Sequence, residues 1–256
     1  MIRTAKNTWA TNVGGYDGLL WRDTENWEDK TQSFVENLDQ YQRYGHEVLL
    51  AGDMTKPLFD IDIGGLEPEK QVISKKRKEV INGLTQELKE FRKVMSALYN
   101  TTITYGFADA SGIKEKVVEG VNKKEGFISL RVGINNLRLN WSSCKWLGRE
   151  IFKGTRLAYG SGSVDLGIYG TSSLLRMPYQ YKPADKYKRF FKPLDAEPNL
   201  FIAQVCENDW VDITDYAKGL EKPIVPTTST PAPVNVLINP SALTTTGSKV
   251  NEVQRL

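Results

Sequence analysis

Residues 56–65 read KPLFDIDIGG, an apolar run broken at alternate positions by Asp60 and Asp62, and few folds can accommodate that pattern. In a β-strand successive side chains point to opposite faces, so Phe59, Ile61 and Ile63 share one face and the two aspartates the other. The carboxylates then lie about 7 Å apart along the strand. Like charges held that close in a partly dry place repel and shift their pKa values upward unless a cation or hydrogen-bond donors offset the cost. A divalent metal ion is the usual solution.

The surrounding sequence alternates strand-like and helix-like segments. Upstream, residues 31–44 carry apolar and aromatic side chains at helix-compatible spacing, residues 46–52 (HEVLLAG) read as a strand, and residues 53–56 read as a turn. Gly64 and Gly65 are expected to end the Asp-bearing strand, and Pro68 suits the first turn of a helix. From residue 68 to about 99, Val80, Ile81, Leu84, Leu88, Phe91, Met95 and Leu98 recur at spacings of three and four, the mark of one long amphipathic helix. Its KKRK run at 75–78 reads as a solvated helix face before it reads as a nucleic-acid contact.

Residues 101–107 (TTITYGF) and 126–135 (GFISLRVGIN) read as further strands, and the second puts Ser129 and Arg131 on one face, opposite Ile128, Leu130, Val132 and Ile134. A helix is expected over 142–153, then a GSGS turn at 160–163, then VDLGIYGTSSLLRMPYQYK at 164–182. Strands alternating with helices argue for an α/β or α+β domain.

At 256 residues the chain can bury a proper core, and no apolar run approaches the roughly 20 residues of a membrane helix. Two cysteines, Cys144 and Cys206, and the single His46 cannot supply the four N/S ligands of a structural zinc without carboxylate help. Reduced thiols, an intracellular protein and no secretory signal are the expectations. The net charge of +3 is too small to diagnose nucleic-acid binding by itself. Residues 223–248 are rich in Pro, Thr and Ser and carry no charge, so a domain over 1–222 followed by a linker or tail over 223–256 is expected.

Three further elements could serve the aspartate pair. Ser129 and Arg131 present a hydroxyl and a planar guanidinium fork that suits phosphate oxygens, or simply an exposed strand face. Asp165 follows a flexible turn and precedes Arg176 and Lys182, two cations suited to phosphates; alone, Asp165 reads equally as an Asx-turn residue. Residues 181–193 (YKPADKYKRFFKP) interleave Lys182, Lys186, Lys188, Arg189 and Lys192 with Tyr181, Tyr187, Phe190 and Phe191. That mixture suits a single nucleic-acid strand, and equally a basic surface loop whose aromatics plug the core. A metal-dependent glycosyltransferase using Asp60 and Asp62 accounts for the first element but gives Asp165 and LLRMPYQYK no role.

With PLFDIDI, FISLRVGINN and VDLGIYGTSSLLRMPYQYK in this order, residues 47–182 resemble the catalytic domain of the archaeo-eukaryotic primase superfamily. The branch most similar is that of herpesviruses and nucleocytoplasmic large DNA viruses, which includes poxvirus-type primase-helicases. The resemblance implies an α+β fold with an RRM-like antiparallel sheet as catalytic core and an additional α/β subdomain. It implies a metal-dependent nucleotidyltransferase making short primers on single-stranded DNA, with Asp60, Asp62 and Asp165 holding two Mg²⁺ or Mn²⁺ ions about 3.5–4 Å apart.

It further implies that Ser129, Arg131, Arg176 and Lys182 bind the incoming NTP or dNTP and that Lys186, Lys188 and Arg189 contact the template. A replicative helicase joined through the linker is the partner it implies, with the cytoplasm or nucleus of a host cell as the setting for a viral protein. Arg131 stands where the family has histidine: it keeps a bidentate cation for phosphate but removes a titratable proton. A non-catalytic single-strand-binding module on a primase fold is the alternative this substitution raises.

Overall fold

The computed structural model describes residues 8–11, 19–22, 46–176, 178, 189–204 and 206–221. The helix expected over 31–44, together with Lys182, Lys186, Lys188 and residues 223–256, lies outside them. In chain order the strands begin with β1 (Thr8–Thr11), β2 (Leu19–Arg22), β3 (His46–Leu50), β4 (Met54–Thr55), β5 (Leu58–Leu66) and β6 (Thr104–Asp109). They continue with β7 (Gly112–Val118), β8 (Val121–Asn135), β9 (Leu137–Asn140), β10 (Ser172–Arg176), β11 (Lys192–Pro193) and β12 (Val211–Asp212). The α-helices are α1 (Lys70–Tyr99), α2 (Cys144–Ile151), α3 (Lys153–Tyr159) and α4 (Thr214–Gly219).

The fold is α+β. One sheet runs β11-β6-β8-β5 with β7 also on β8, a second runs β10-β3-β1-β2, and a third runs β12-β9-β4. Pairing is antiparallel except between β12 and β9. Among the described residues no helix is long and apolar enough to cross a membrane.

Strand β8 is the axis of the first sheet. β5 pairs along one of its edges, while β6 pairs with its C-terminal half and β7 with its N-terminal half along the other. Between β6 and β7 the ladder is bridged locally: Ala110 N–H donates to the Ser129 carbonyl (2.8 Å) and Ser129 N–H to the Ser111 hydroxyl (3.0 Å).

The aliphatic face of this sheet, made by Phe59, Ile61, Ile63, Ile128, Leu130, Val132 and Ile134, shares one core with Ile73, Val80, Leu84, Leu88, Phe91 and Met95 of α1. Each such side chain contributes on the order of 1.5–3 kcal/mol on burial, so the helical and alternating periodicities specify one another. Leu98, expected on the buried stripe, is exposed in the last turn, just before Asn100 closes the helix with a left-handed φ of 51°. In the KKRK run, Lys76 pairs with Glu79 at 3.0 Å and Arg77 with Asp109 on β6.

Three local expectations are corrected. Gly64 and Gly65 do not end β5, which continues to Leu66 through a register shift; Gly65, at φ +77°, supplies the left-handed conformation the bulge needs. The strand expected from residue 126 starts at Val121, as half of a hairpin with β7 whose mixed Lys, Glu and Val composition hides it. The helix expected over 142–153 is split, with a 3₁₀ turn at Trp141–Ser143, then α2, a break at Phe152, and α3 running past it to Tyr159.

Among the described residues, one end of the other face is covered by a second small core. Gly106 and Gly133 pair directly across β6 and β8, and a Cβ at Gly133 would overlap the carbonyl oxygen of Leu200. This dent seats a small second core of Ala108, Ala110, Phe191, Leu200 and Phe201. Away from it, Asp62 on the same face is exposed.

Candidate functional site

The three motifs, far apart in sequence, lie on neighbouring strands. Asp60 stands directly opposite Arg131 and Asp62 opposite Ser129 in the β5–β8 register. On the outer side of β5, Val164 bridges Ile61, and Asp165 N–H donates to the Asp60 carbonyl at 2.9 Å. Tyr169 ties this segment down: its hydroxyl donates to the Leu58 carbonyl at 2.6 Å and its ring packs against Phe59 and Trp141. Burial, with the neighbouring Cys144, Asp60 and Asp165, pushes the phenol's pKa well above its ordinary value, so it acts as a fixed neutral donor.

Asp60 and Arg131 form a fork. Nε of Arg131 donates to Oδ1 at 2.7 Å and Nη2 to Oδ2 at 3.0 Å, while Nη1 donates to the Arg176 carbonyl. The guanidinium is 2% exposed and the carboxylate 20%. It also lies over the Phe191 ring at 4.4 Å, and the Arg176 guanidinium lies over the same ring at 4.7 Å. Phe191 is therefore a buried plug between two arginines, which corrects its reading as a stacking surface for bases.

One step along the sheet the face opens into a cleft of about 320 Å³. Its lining brings together Asp62, Ser129, Arg176 and Arg189, four residues singled out by the sequence, with Lys114, Phe127 and Ala110. Arg189 stacks over Phe127 at 4.3 Å, and the Lys114 ammonium lies 5.1 Å from the same ring. Phe127 opens the FISLRVGINN motif but was given no role there, its signal being the alternation that places 127, 129 and 131 on one strand face; Lys114, on β7, belongs to no motif.

Two of the three aspartates expected to hold metal have partners within the chain. Both oxygens of Asp60 accept from Arg131, and Oδ1 of Asp165 accepts the Gly167 N–H at 2.9 Å in an Asx turn. Among the described residues no three His, Cys, Asp or Glu side chains converge as metal ligands. Arg131 supplies charge compensation for Asp60, one member of the aspartate pair, through the same fork that the sequence suited to phosphate oxygens.

Behind the site, Glu47 of β3 is fully buried and accepts the backbone N–H groups of Ala203 (2.8 Å) and Gln204 (2.9 Å). Desolvation raises its pKa to about 7 against the opposing pull of these donors and of Arg131 and Lys56. The sequence matches no family model and no curated protein.

Proposed function

We propose that this chain is a nucleotidyltransferase of the archaeo-eukaryotic primase type, which binds a nucleoside triphosphate in the cleft and makes short primers on single-stranded DNA. One observation carries the reading: Asp62, Ser129, Arg176 and Arg189, drawn from separate stretches of the chain, line a single open cleft. The antiparallel β11-β6-β8-β5 sheet backed by α1 supports the RRM-like core this implies, and the separate sheets built on β3 and β9 support its additional α/β part.

In that role Arg176, Arg189 and Lys114 receive the phosphates. A Mg²⁺ or Mn²⁺ ion brought in with the nucleotide would be held by Asp62, the carboxylate on the cleft wall, and would supply charge neutralisation for the triphosphate. The 3′-hydroxyl of the first nucleotide, and then of the growing primer, attacks the α-phosphorus and gives up its proton to water, the bond from that phosphorus to the bridging oxygen breaks, and pyrophosphate leaves. The cleft cations stabilise the charge that builds on it, so positioning and electrostatics carry the rate.

The test is primer synthesis on unprimed single-stranded DNA with labelled triphosphates and either metal. Asp62→Asn is the informative variant, because substituting Asp60 would also strand the buried Arg131 charge. Short products from the wild type and a loss of about 100-fold or more in the variant are expected. Folded wild-type protein that binds the strand but makes no product would overturn the catalytic reading. That outcome would select the second reading, a non-catalytic single-strand-binding module, which the Arg131–Asp60 fork favours.

A further inference from the structure

We propose that the β7–β8 hairpin is a template arm, along one face of which single-stranded DNA runs after leaving the cleft. The proposal rests on the reading of the cleft as a nucleotide site and adds the path of the strand.

The register defines the face. Gly112 pairs with Phe127, Lys114 with Glu125 and Lys116 with Lys123, and directly opposed residues point the same way. On β8 the series 123, 125, 127, 129, 131 therefore shares the face that carries Asp60 and Asp62 on β5. Lys114 belongs to the hairpin and to the cleft wall at once, so the two surfaces are continuous. β5 makes its last pairing at Gly126, and beyond it β8 pairs only with β7. The tip is open, with Val117 67% and Val121 58% exposed.

The two faces of the hairpin differ in charge. One pairs Glu115 with Lys124 and is balanced. The cleft-side face holds Lys114, Lys116 and Lys123 against Glu125 alone. That carboxylate is shared, lying 3.6 Å from both Lys114 and Lys116 while accepting the Gly65 N–H at 2.7 Å. Lys116 and Lys123, moreover, are directly opposed like charges, an arrangement that destabilises a strand pair unless an anion relieves it.

A polyanion following this face meets a row of lysines about 7 Å apart along the strand. From Ser129 to Lys123 the face extends about 20 Å, roughly six nucleotides at the 3.4 Å rise of a stacked strand. Phe127 is already covered by Arg189 and Lys114, so the arm reads phosphates and not bases. Binding along it is sequence-tolerant and salt-sensitive.

The test uses the full chain, a fluorescein-labelled 20-nucleotide oligo(dT), and anisotropy over a salt series. Lys116→Gln/Lys123→Gln and Lys124→Glu change the net charge equally but on opposite faces. The double variant is expected to bind at least 10-fold more weakly, with a log–log salt slope shallower by about 1.4. Lys124→Glu is expected to stay within about twofold of wild type. Displacement of a fluorescent ATP analogue should be unchanged in both. Equal losses in the two variants, or none in the double variant, would overturn the arm. Wild-type protein that binds the strand but not the nucleotide would instead overturn the cleft reading and leave the arm standing, and failure to bind either would overturn both.

Discussion

The two ends of β8 meet the same electrostatic problem in opposite ways. At Arg131 the cation is 2% exposed, forked onto Asp60 and covered by Phe191. At Lys123 and its β7 partner Lys116 two exposed cations face each other, with Glu125 3.6 Å from Lys116. A buried charge must be compensated within the fold, because desolvation costs several kcal/mol per ion. An exposed one can remain uncompensated at little cost in water, and is then able to bind an outside anion. The same strand face is structural at one end and suited to binding at the other, with the cleft between them.

Three stability measurements can break or sharpen this contrast. Arg131→Ala leaves the Asp60 carboxylate without its fork, so a loss of about 3 kcal/mol by urea unfolding is expected. Replacing both members, as Asp60→Leu/Arg131→Met, should recover most of that loss; equal losses in the single and double variants would show that packing, not the charge pair, holds this end.

Glu47→Gln removes an acceptor from one of two buried backbone N–H groups and should cost about 1–3 kcal/mol. It should also change the pH profile. The folded-state pKa is raised from 4.5 to about 7, so this group's contribution is complete below pH 4.5 and is lost as pH rises through about 7. The variant should lack that decline, and an unchanged profile between those limits would remove Glu47 as its source. The smallest effect is expected at the open end, where Lys116→Gln/Lys123→Gln should shift stability by less than about 0.5 kcal/mol. A shift beyond 1 kcal/mol would mean the hairpin lysines hold the fold and would erase the contrast.

Much of the architecture follows from periodicity alone. The alternation in LFDIDI and ISLRVGI defines two strands and their buried faces, and the spacing of Val80, Leu84, Leu88, Phe91 and Met95 defines α1, because burial of one face is the dominant local constraint. The grouping of Asp62, Ser129 and Arg176 was legible as a set of motifs, though not as a cleft. Tertiary structure decided the rest. Only the β5–β8 register shows that Arg131 meets Asp60, since a one-residue slip would separate them. Only the paired glycines Gly106 and Gly133 show why Leu200 can cover one end of the face. The hairpin was hidden because its exposed residues, Lys116, Val117, Val121 and Lys123 among them, carry no hydrophobic period.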